Sequence, residues 1–267
     1  MSRRPARHRA GRHFFLVLLR NEEQRVTTFT LDVFSAGAGP QRLITTPQRL
    51  YNLGSATVDP NAAVAHQREV ADVGVRIAFD VPAPRIYPMS VNSVTTDEWI
   101  GVHSETTSGE VELVIVVHEG EVFLGVGSDH TDRALEKHSI IWAKQYCPSV
   151  LGRRVWRWSE IAPRWEDLVL ESTVDGELYQ SCAASVFLDP DKILGILAER
   201  VESLPSSYLV YCGTYTSIDC TIKYGTRWTG TLRDQNTGES IDLAYETVDL
   251  LSELRPGFRV PLVNGGK

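Results

Sequence analysis

Three carboxylates raise the chemical question. In the stretch SGEVELVIVVHEGEVFLGVGSDHTDR, Ser108 to Arg133, Glu110 and Glu112 stand two apart at the head of an apolar run, and Asp129 follows Gly125-Val126-Gly127-Ser128. On a strand, residues two apart share a face, so both glutamates project to one side while Val111 and Leu113 point to the other. The same face continues as Val114 and Val116, which suits a pocket with apolar walls better than a solvated surface. Two like charges held that close need a cation between them. Read as a flexible turn, Gly125–Ser128 would fold Asp129 back over the pair. Three carboxylate oxygens with positions left open for water and substrate suit Mg²⁺ or Mn²⁺, because hard cations choose oxygen ligands. The spacing alone fits equally two solvated strand residues and a turn aspartate. A dinucleotide loop is a poorer reading of Gly125-x-Gly127, since the third glycine and a regular βαβ setting are missing.

A second constellation lies upstream. His66 and Glu69 are three apart in DPNAAVAHQREVADVG, so on a helix they are neighbours, and Glu69 can fix the imidazole tautomer and raise its basicity. That is how a base and its orienting group are arranged; a solvated pair on a polar helix face has the same spacing. His103 and His130 also fall near the carboxylates in sequence. His103 reads as structural, and His130 as a neighbour of the Asp129 ligand.

The elements that must position these groups are mostly strands. VTTFTLDV, Val26 to Val33, alternates with Phe29, Leu31 and Val33 on one face, as do RVWRW at 154–158 and YLVYCGTYT at 208–216. Asp175-Gly176 between two alternating runs is a hairpin signal, and RDQNTGES at 233–240 separates two more strands. Three helices are expected. The first, at 59–74, has Asp59 as N-cap, Pro60 next and Gly74 past its end. The second runs from about Thr131 to Tyr146. The third is capped by Asp189-Pro190 and turns Ile193, Leu194, Ile196, Leu197 and Val201 to the core. Many strands with few helices and no regular βαβ order predict an α+β, mainly β, domain.

The chain of 267 residues is long for one domain and short for two, which favours one large domain with an N-terminal elaboration. With 27 basic against 34 acidic residues and a net charge of −7, the composition argues against a nucleic-acid surface. Residues 1–13 break this balance with five arginines and no acid, and are expected to be a disordered arm. The apolar run Phe14–Leu19 is six residues, too short for a signal-peptide core or a membrane span, so the expected location is the cytoplasm. Cys147, Cys182, Cys212 and Cys220 stand singly, without the C-x-x-C spacing of a zinc or redox site, and are expected to be reduced.

In order and separation, EVELVIVV, GSDHTDR, WAKQYCP, VDGELYQ and YLVYCGTYT resemble the fumarylacetoacetate hydrolase superfamily, over roughly residues 55 to 232. The likeness is to a bacterial branch of unknown activity. It implies a mixed β-sandwich roll spanning 26–267 as a single catalytic domain, with a mobile lid helix near 59–74 and a homodimeric assembly. It further implies Mg²⁺ or Mn²⁺ held by Glu110, Glu112 and Asp129. His66 and Glu69 would form the dyad of the lid and Lys144 a catalytic cation, while Arg133, Gln180 and Thr214 would contact substrate. Tyr215 departs from the family's Gly-Thr-Pro loop, Ala134 from its Arg-Asp pair and Tyr87-Pro88 from its Lys-Pro segment, and the C-terminal DQNTGESIDLAYETVDL has no counterpart. The implied activity is metal-assisted hydrolysis of a C–C bond in a small 2,4-dioxo acid. Decarboxylation, hydration or isomerisation of a 2-oxo acid would use the same metal site. A non-enzymatic binding module is disfavoured, because three uncompensated acids in one pocket destabilise a fold that binds no cation. Neither nucleic acid nor membrane is an expected partner.

Overall fold

The structure is a computed structural model that describes residues 27–34, 39, 41–75 and 81–262. The basic arm and the Phe14–Leu19 run lie outside the described residues.

The carboxylate-bearing segment folds as a hairpin. Strand Val111–His118 turns at Glu119-Gly120, where both residues have positive φ (49° and 87°), and returns as Glu121–Asp129. Such a two-residue turn matches the twist of the flanking strands, and glycine meets its second position without strain. The register pairs Glu112 with Gly127 and Val111 with Ser128, and the Asp129 amide donates to the Glu110 carbonyl at 2.9 Å. Asp129 is therefore delivered beside Glu110 by strand pairing. The expectation of a flexible turn at Gly125–Ser128 is corrected here: those residues are inside the strand. Glycine is needed at 127 because a Cβ there would come within 2.6 Å of Val114 and 2.7 Å of the Tyr211 ring.

Around the hairpin lies a nine-stranded sheet. Its order is Gln41–Thr45, Phe29–Phe34, Ser149–Arg157, Glu121–Asp129, Val111–His118, Ser207–Tyr211, Arg49–Gly54 and Arg85–Met89, with the short Val94–Thr95 beside Ser149–Arg157. A five-stranded sheet packs on one face, ordered Glu177–Ala183, Leu168–Val174, Arg227–Asp234, Ser240–Asp249 and Trp99–Val102. Leu113, Ile115, Leu124 and Val126 meet Leu170, Trp228, Leu232 and Ile241 between the sheets. With both faces covered, Val111–His118 carries a nearly unbroken apolar run rather than an alternating one. The mixed sheets and few helices bear out the α+β, mainly β expectation.

Among the described residues, five α-helices interrupt the strands: α1 (Pro60–Asp72), α2 (Arg133–Glu136), α3 (Ile140–Tyr146), α4 (Trp158–Ile161) and α5 (Pro190–Arg200). Asp59 and Asp189 cap α1 and α5 through their carboxylates, as expected from the two Asp-Pro starts. The expected single helix from Thr131 to Tyr146 is instead α2 and α3. Asp132 caps the first through the amides of Ala134 and Leu135, and Ser139 caps the second through that of Trp142. The alternation read through Thr216 also stops early, since the strand ends at Tyr211 and Gly213 takes a φ of 85°. Asp175-Gly176 turns as expected, and all four cysteines are free. Among the described residues, no helix is long and apolar enough to cross a membrane.

On its other face the nine-stranded sheet buries Leu50, Val114, Val116, Leu209 and Tyr211 with Val70 and Val75 of the α1 region and Ile140 of α3. The carboxylates look out on this side.

Candidate active site

Glu110, Glu112 and Asp129 are at most 3 % exposed, and one oxygen of each lies within 4.8 Å of the others. The sequence produces this from two periodicities: the strand repeat sets the glutamates side by side, and the hairpin register adds the aspartate. Lys144, from the last turn of α3, donates through Nζ to Glu110 Oε2 at 2.8 Å and to Asp129 Oδ2. Arg133, at the start of α2, donates through Nη2 to Glu110 Oε1 at 2.9 Å. Glu112 has a thinner set of partners, the Gly213 amide at 2.8 Å.

Electrostatics separates the three acids. Burial alone would raise the Glu110 carboxyl, but the Lys144 ammonium and the Arg133 guanidinium hold it well below the usual carboxylate range. Glu112 lies well above that range, first through burial and then through the neighbouring Asp129 charge. Asp129 is pushed up to about 6 by burial, against the pull of Lys144. Lys144 is held well above its ordinary value by Asp129 and Glu110, although burial opposes its charge.

α1 brings the dyad to the same place. His66 Nδ1 donates to Glu69 Oε2 at 2.9 Å, and Nε2 lies 3.6 Å from Glu110 Oε1. Glu69 is buried, whereas the His66 side chain remains 22 % exposed. Burial works against the imidazolium, but the carboxylates of Glu110 and Glu69 prevail and push its pKa up to about 9.

The remaining expected residues divide. Gln180 and Thr214 stand together beside the hairpin: Gln180 Nε2 donates to Thr214 Oγ1 at 2.9 Å and also to the Tyr215 carbonyl, and Thr214 Oγ1 donates to the Val111 carbonyl at 3.1 Å. Arg133 is engaged inside the protein. Its Nε donates to Ser108 at 2.7 Å and its Nη1 to Glu136 at 2.8 Å besides the bond to Glu110, and it is 1 % exposed. That geometry assigns it to holding Glu110 rather than to gripping a substrate carboxylate. His130 faces away from the carboxylates, because adjacent residues of an extended chain point to opposite sides. Its Nδ1 meets Tyr245 Oη at 2.9 Å, and burial lowers its pKa to about 3, leaving it neutral. His103 pairs with Tyr146 at 2.8 Å on the outer side of α3.

Sequence reasoning missed three contributors, Ser108, Glu136 and Ser217. Ser217 donates to Glu69 Oε1 through both its amide (2.8 Å) and its hydroxyl (2.5 Å). The i,i+3 spacing of Arg133 and Glu136 was a readable signal. Ser217 offers none, being 148 positions from its partner.

The donor set fits a hard divalent cation. The linked cluster holds five carboxylates, Glu69, Glu110, Glu112, Asp129 and Glu136, against three cationic groups, Arg133, Lys144 and His66. With all of them ionised, two negative charges would be left over for one divalent ion to neutralise; without an ion, burial and the Asp129 charge favour the neutral form of Glu112 instead.

The two packed sheets with few helices have the fold of solved fumarylacetoacetate hydrolase-family proteins. A fumarylpyruvate hydrolase from Pseudomonas aeruginosa, solved with Mn²⁺ and pyruvate, superposes with a TM-score of 0.53 at 17% identity, over 82% of this chain and 96% of that one. A 5-carboxymethyl-2-hydroxymuconate delta-isomerase from Mycobacterium smegmatis gives 0.54 at 16% identity, over 83% and 94%. A fumarylacetoacetate hydrolase family protein from yeast gives 0.52 at 13% identity, over 75% and 93%. By sequence, the chain belongs to the family described as "Protein of unknown function (DUF2848)", whose model matches residues 54–245. No curated protein matches it in sequence.

Proposed function

We propose that the protein is a divalent-metal-dependent enzyme that hydrolyses a C–C bond in a small 2,4-dioxo acid of the acylpyruvate or fumarylpyruvate type. The observation that carries this reading is the meeting of three buried carboxylates with a helix-borne His-Glu pair whose Nε2 lies 3.6 Å from one of them. A solved neighbour of the same fold that holds Mn²⁺ and pyruvate supports both the cation and the substrate class.

Glu110, Glu112 and Asp129 would hold Mg²⁺ or Mn²⁺. When bound, the ion would supply a Lewis acid and a template for the adjacent carboxylate and 2-oxo oxygens. An ion held there would offset the carboxylate charge that raises the His66 pKa, so that the imidazole could act as a base. Its Nε2 takes a proton from water, Nδ1–H stays anchored on Glu69, and the water oxygen attacks the carbonyl distal to the 2-oxo acid end. Breaking the C–C bond then releases an acid and leaves an enolate, whose charge the Lys144 ammonium helps to stabilise and whose carbon takes back the proton held on Nε2. Arg133 keeps Glu110 in place, while the Gln180 and Thr214 wall contacts the substrate chain.

The test couples metal analysis with a substrate screen. Acylpyruvates, fumarylpyruvate and oxaloacetate are offered with Mn²⁺ or Mg²⁺ while loss of enol absorbance is followed. Metal-dependent release of two acids from an acylpyruvate is the expected result. Turnover confined to oxaloacetate with release of CO₂ would replace hydrolysis by decarboxylation, and a protein that binds no divalent ion would remove the reading.

A further inference from the structure

The hydrogen bonds of Glu69 reach beyond the dyad. Its Oε2 accepts from His66, and its Oε1 accepts from both the amide and the hydroxyl of Ser217. Ser217 and Glu69 are 3 % and 2 % exposed, so this charge-assisted set is shielded from water. We propose that Ser217 is a positioning residue that latches α1 over the three carboxylates and presents the His66 ring to them. This role rests on the hydrolase reading for its effect on catalysis, and on geometry alone for its effect on the helix.

Among the described residues, α1 has few other ties besides the approach of His66 to Glu110. Its apolar anchorage lies at the C-terminal end, where Val70 and the following Val75 are buried, whereas Asn61, Val64 and Arg68 are exposed. Toward the middle the ties are polar: Gln67 donates to Ser55 at 3.2 Å, and Glu69 accepts from Ser217. A buried carboxylate without donors would be expelled toward water, taking the helix with it. Ser217 supplies two donors from one residue. By occupying Oε1 it also leaves Oε2 for His66, which fixes the proton on Nδ1 and turns Nε2 toward Glu110.

The latch is itself rigid. Ser217 Oγ accepts from the Thr221 amide at 2.9 Å, and the Asp219 carboxylate accepts from the Thr221 hydroxyl at 2.7 Å. The next residue, Ile218, donates its amide to the Tyr179 carbonyl at 2.9 Å. The same loop begins at Gly213, whose amide holds Glu112, and Thr214, which accepts from Gln180. One segment thus joins Glu112, the Gln180–Thr214 pair and the dyad.

The test uses the full chain. Hydrogen exchange across residues 60–72 is followed by mass spectrometry without ligand for the parent, Ser217→Ala and Ser217→Thr, with thermal unfolding in parallel. Loss of a hydrogen bond to a buried carboxylate should speed exchange in α1 by about 10- to 100-fold, while the unfolding midpoint hardly moves and threonine restores the parent rate. On a turned-over 2-oxo acid, Ser217→Ala should lower kcat by a similar factor and leave KM far less affected, again with rescue by threonine. Glu69→Gln serves as the second variant if Ser217→Ala does not fold, and should also speed exchange in α1. Parent-like exchange in these variants overturns the latch, and faster exchange with unchanged kcat overturns the positioning role. If exchange rises as expected but no 2-oxo acid is turned over by the parent, the latch stands and the hydrolase reading is what has failed.

Discussion

The two faces of the nine-stranded sheet are built by opposite rules. Toward the five-stranded sheet, Leu113, Ile115, Leu124 and Val126 interlock with Trp228, Leu232 and Ile241, and stability comes from apolar area removed from water. Toward α1 and α3, the same hairpin buries Glu110, Glu112 and Asp129 beside Lys144, where every charge is costly unless partnered. The change happens along one face of the strand, between Glu112 and Val114, two positions apart. Burying an acid at 110 or 112 costs free energy that a valine, as at 114 and 116, would not, and the cation-binding role proposed above would account for that cost.

That contrast breaks if the acids turn out to be interchangeable structural groups, and the largest effects are expected from separating them. Glu110 pairs with Arg133 and Lys144, so Glu110→Ala leaves two buried cations short of a partner and should cost about 3–5 kcal/mol in denaturant unfolding. Glu112 accepts one backbone amide, which the oxygen of a glutamine would also accept. Glu112→Gln should therefore keep stability within about 1 kcal/mol of the parent while weakening Mn²⁺ binding strongly in calorimetry. Parent-like Mn²⁺ affinity in Glu112→Gln would move the metal site elsewhere. His66→Ala is next: kcat should drop by about 10²- to 10⁴-fold, the range for a lost general base, with Mn²⁺ affinity intact. Full hydrolytic turnover in that variant would take the base role away from α1.

The two faces were not equally legible in the sequence. Asp59-Pro60 and Asp189-Pro190 marked α1 and α5, and Asp175-Gly176 marked its hairpin, because caps and tight turns are local chemistry. The spacing of Glu110 and Glu112 predicted a shared face. What misled was glycine. Gly125 and Gly127 read as a turn, but the Tyr211 ring, 84 positions further on, is what requires Gly127 inside a strand. Arg133 was likewise expected to contact substrate, since the convergence of Ser108, Glu110 and Glu136 on it depends on pairing across the sheet and on the short α2. Ser217 was invisible for the same reason: a serine in a polar loop carries no periodicity, and its meaning is set by a helix far away in the chain.

On the apolar face a smaller but still large effect is expected, of a different kind. Leu232 is fully buried between the sheets, so Leu232→Ala should cost about 2–5 kcal/mol in unfolding free energy. Mn²⁺ affinity at a temperature where the variant is folded should stay at the parent value. Loss of both together would mean that the two faces are mechanically coupled.

The smallest effect comes from a buried carboxylate on the other sheet, and it sharpens the contrast with Glu112. Asp234 ends the strand Arg227–Asp234 with no exposed surface, yet its oxygens accept from the amides of Asn236 (2.8 Å) and Thr237 (3.1 Å) and from Arg164 Nη1 (2.6 Å). Burial alone would raise its pKa, but these donors prevail and hold it below the ordinary aspartate value, whereas Glu112, with one donor, is raised. The native state thus prefers the charged form of Asp234. Its contribution to stability is fully present above the unfolded-state value of about 4 and is lost as pH falls through the lower folded-state value. Asp234→Asn should therefore unfold more readily than the parent at pH 7, with the difference narrowing as the pH is taken below about 4, where the parent's own carboxyl becomes protonated. Thermal unfolding of both proteins from pH 7 to pH 3 measures this directly, and Mn²⁺ binding should be the same in both at pH 7. A difference that stays constant over that range would show that shape rather than charge holds the turn, and the distinction between a satisfied structural acid and an unsatisfied binding acid would then have to rest on Glu112 alone.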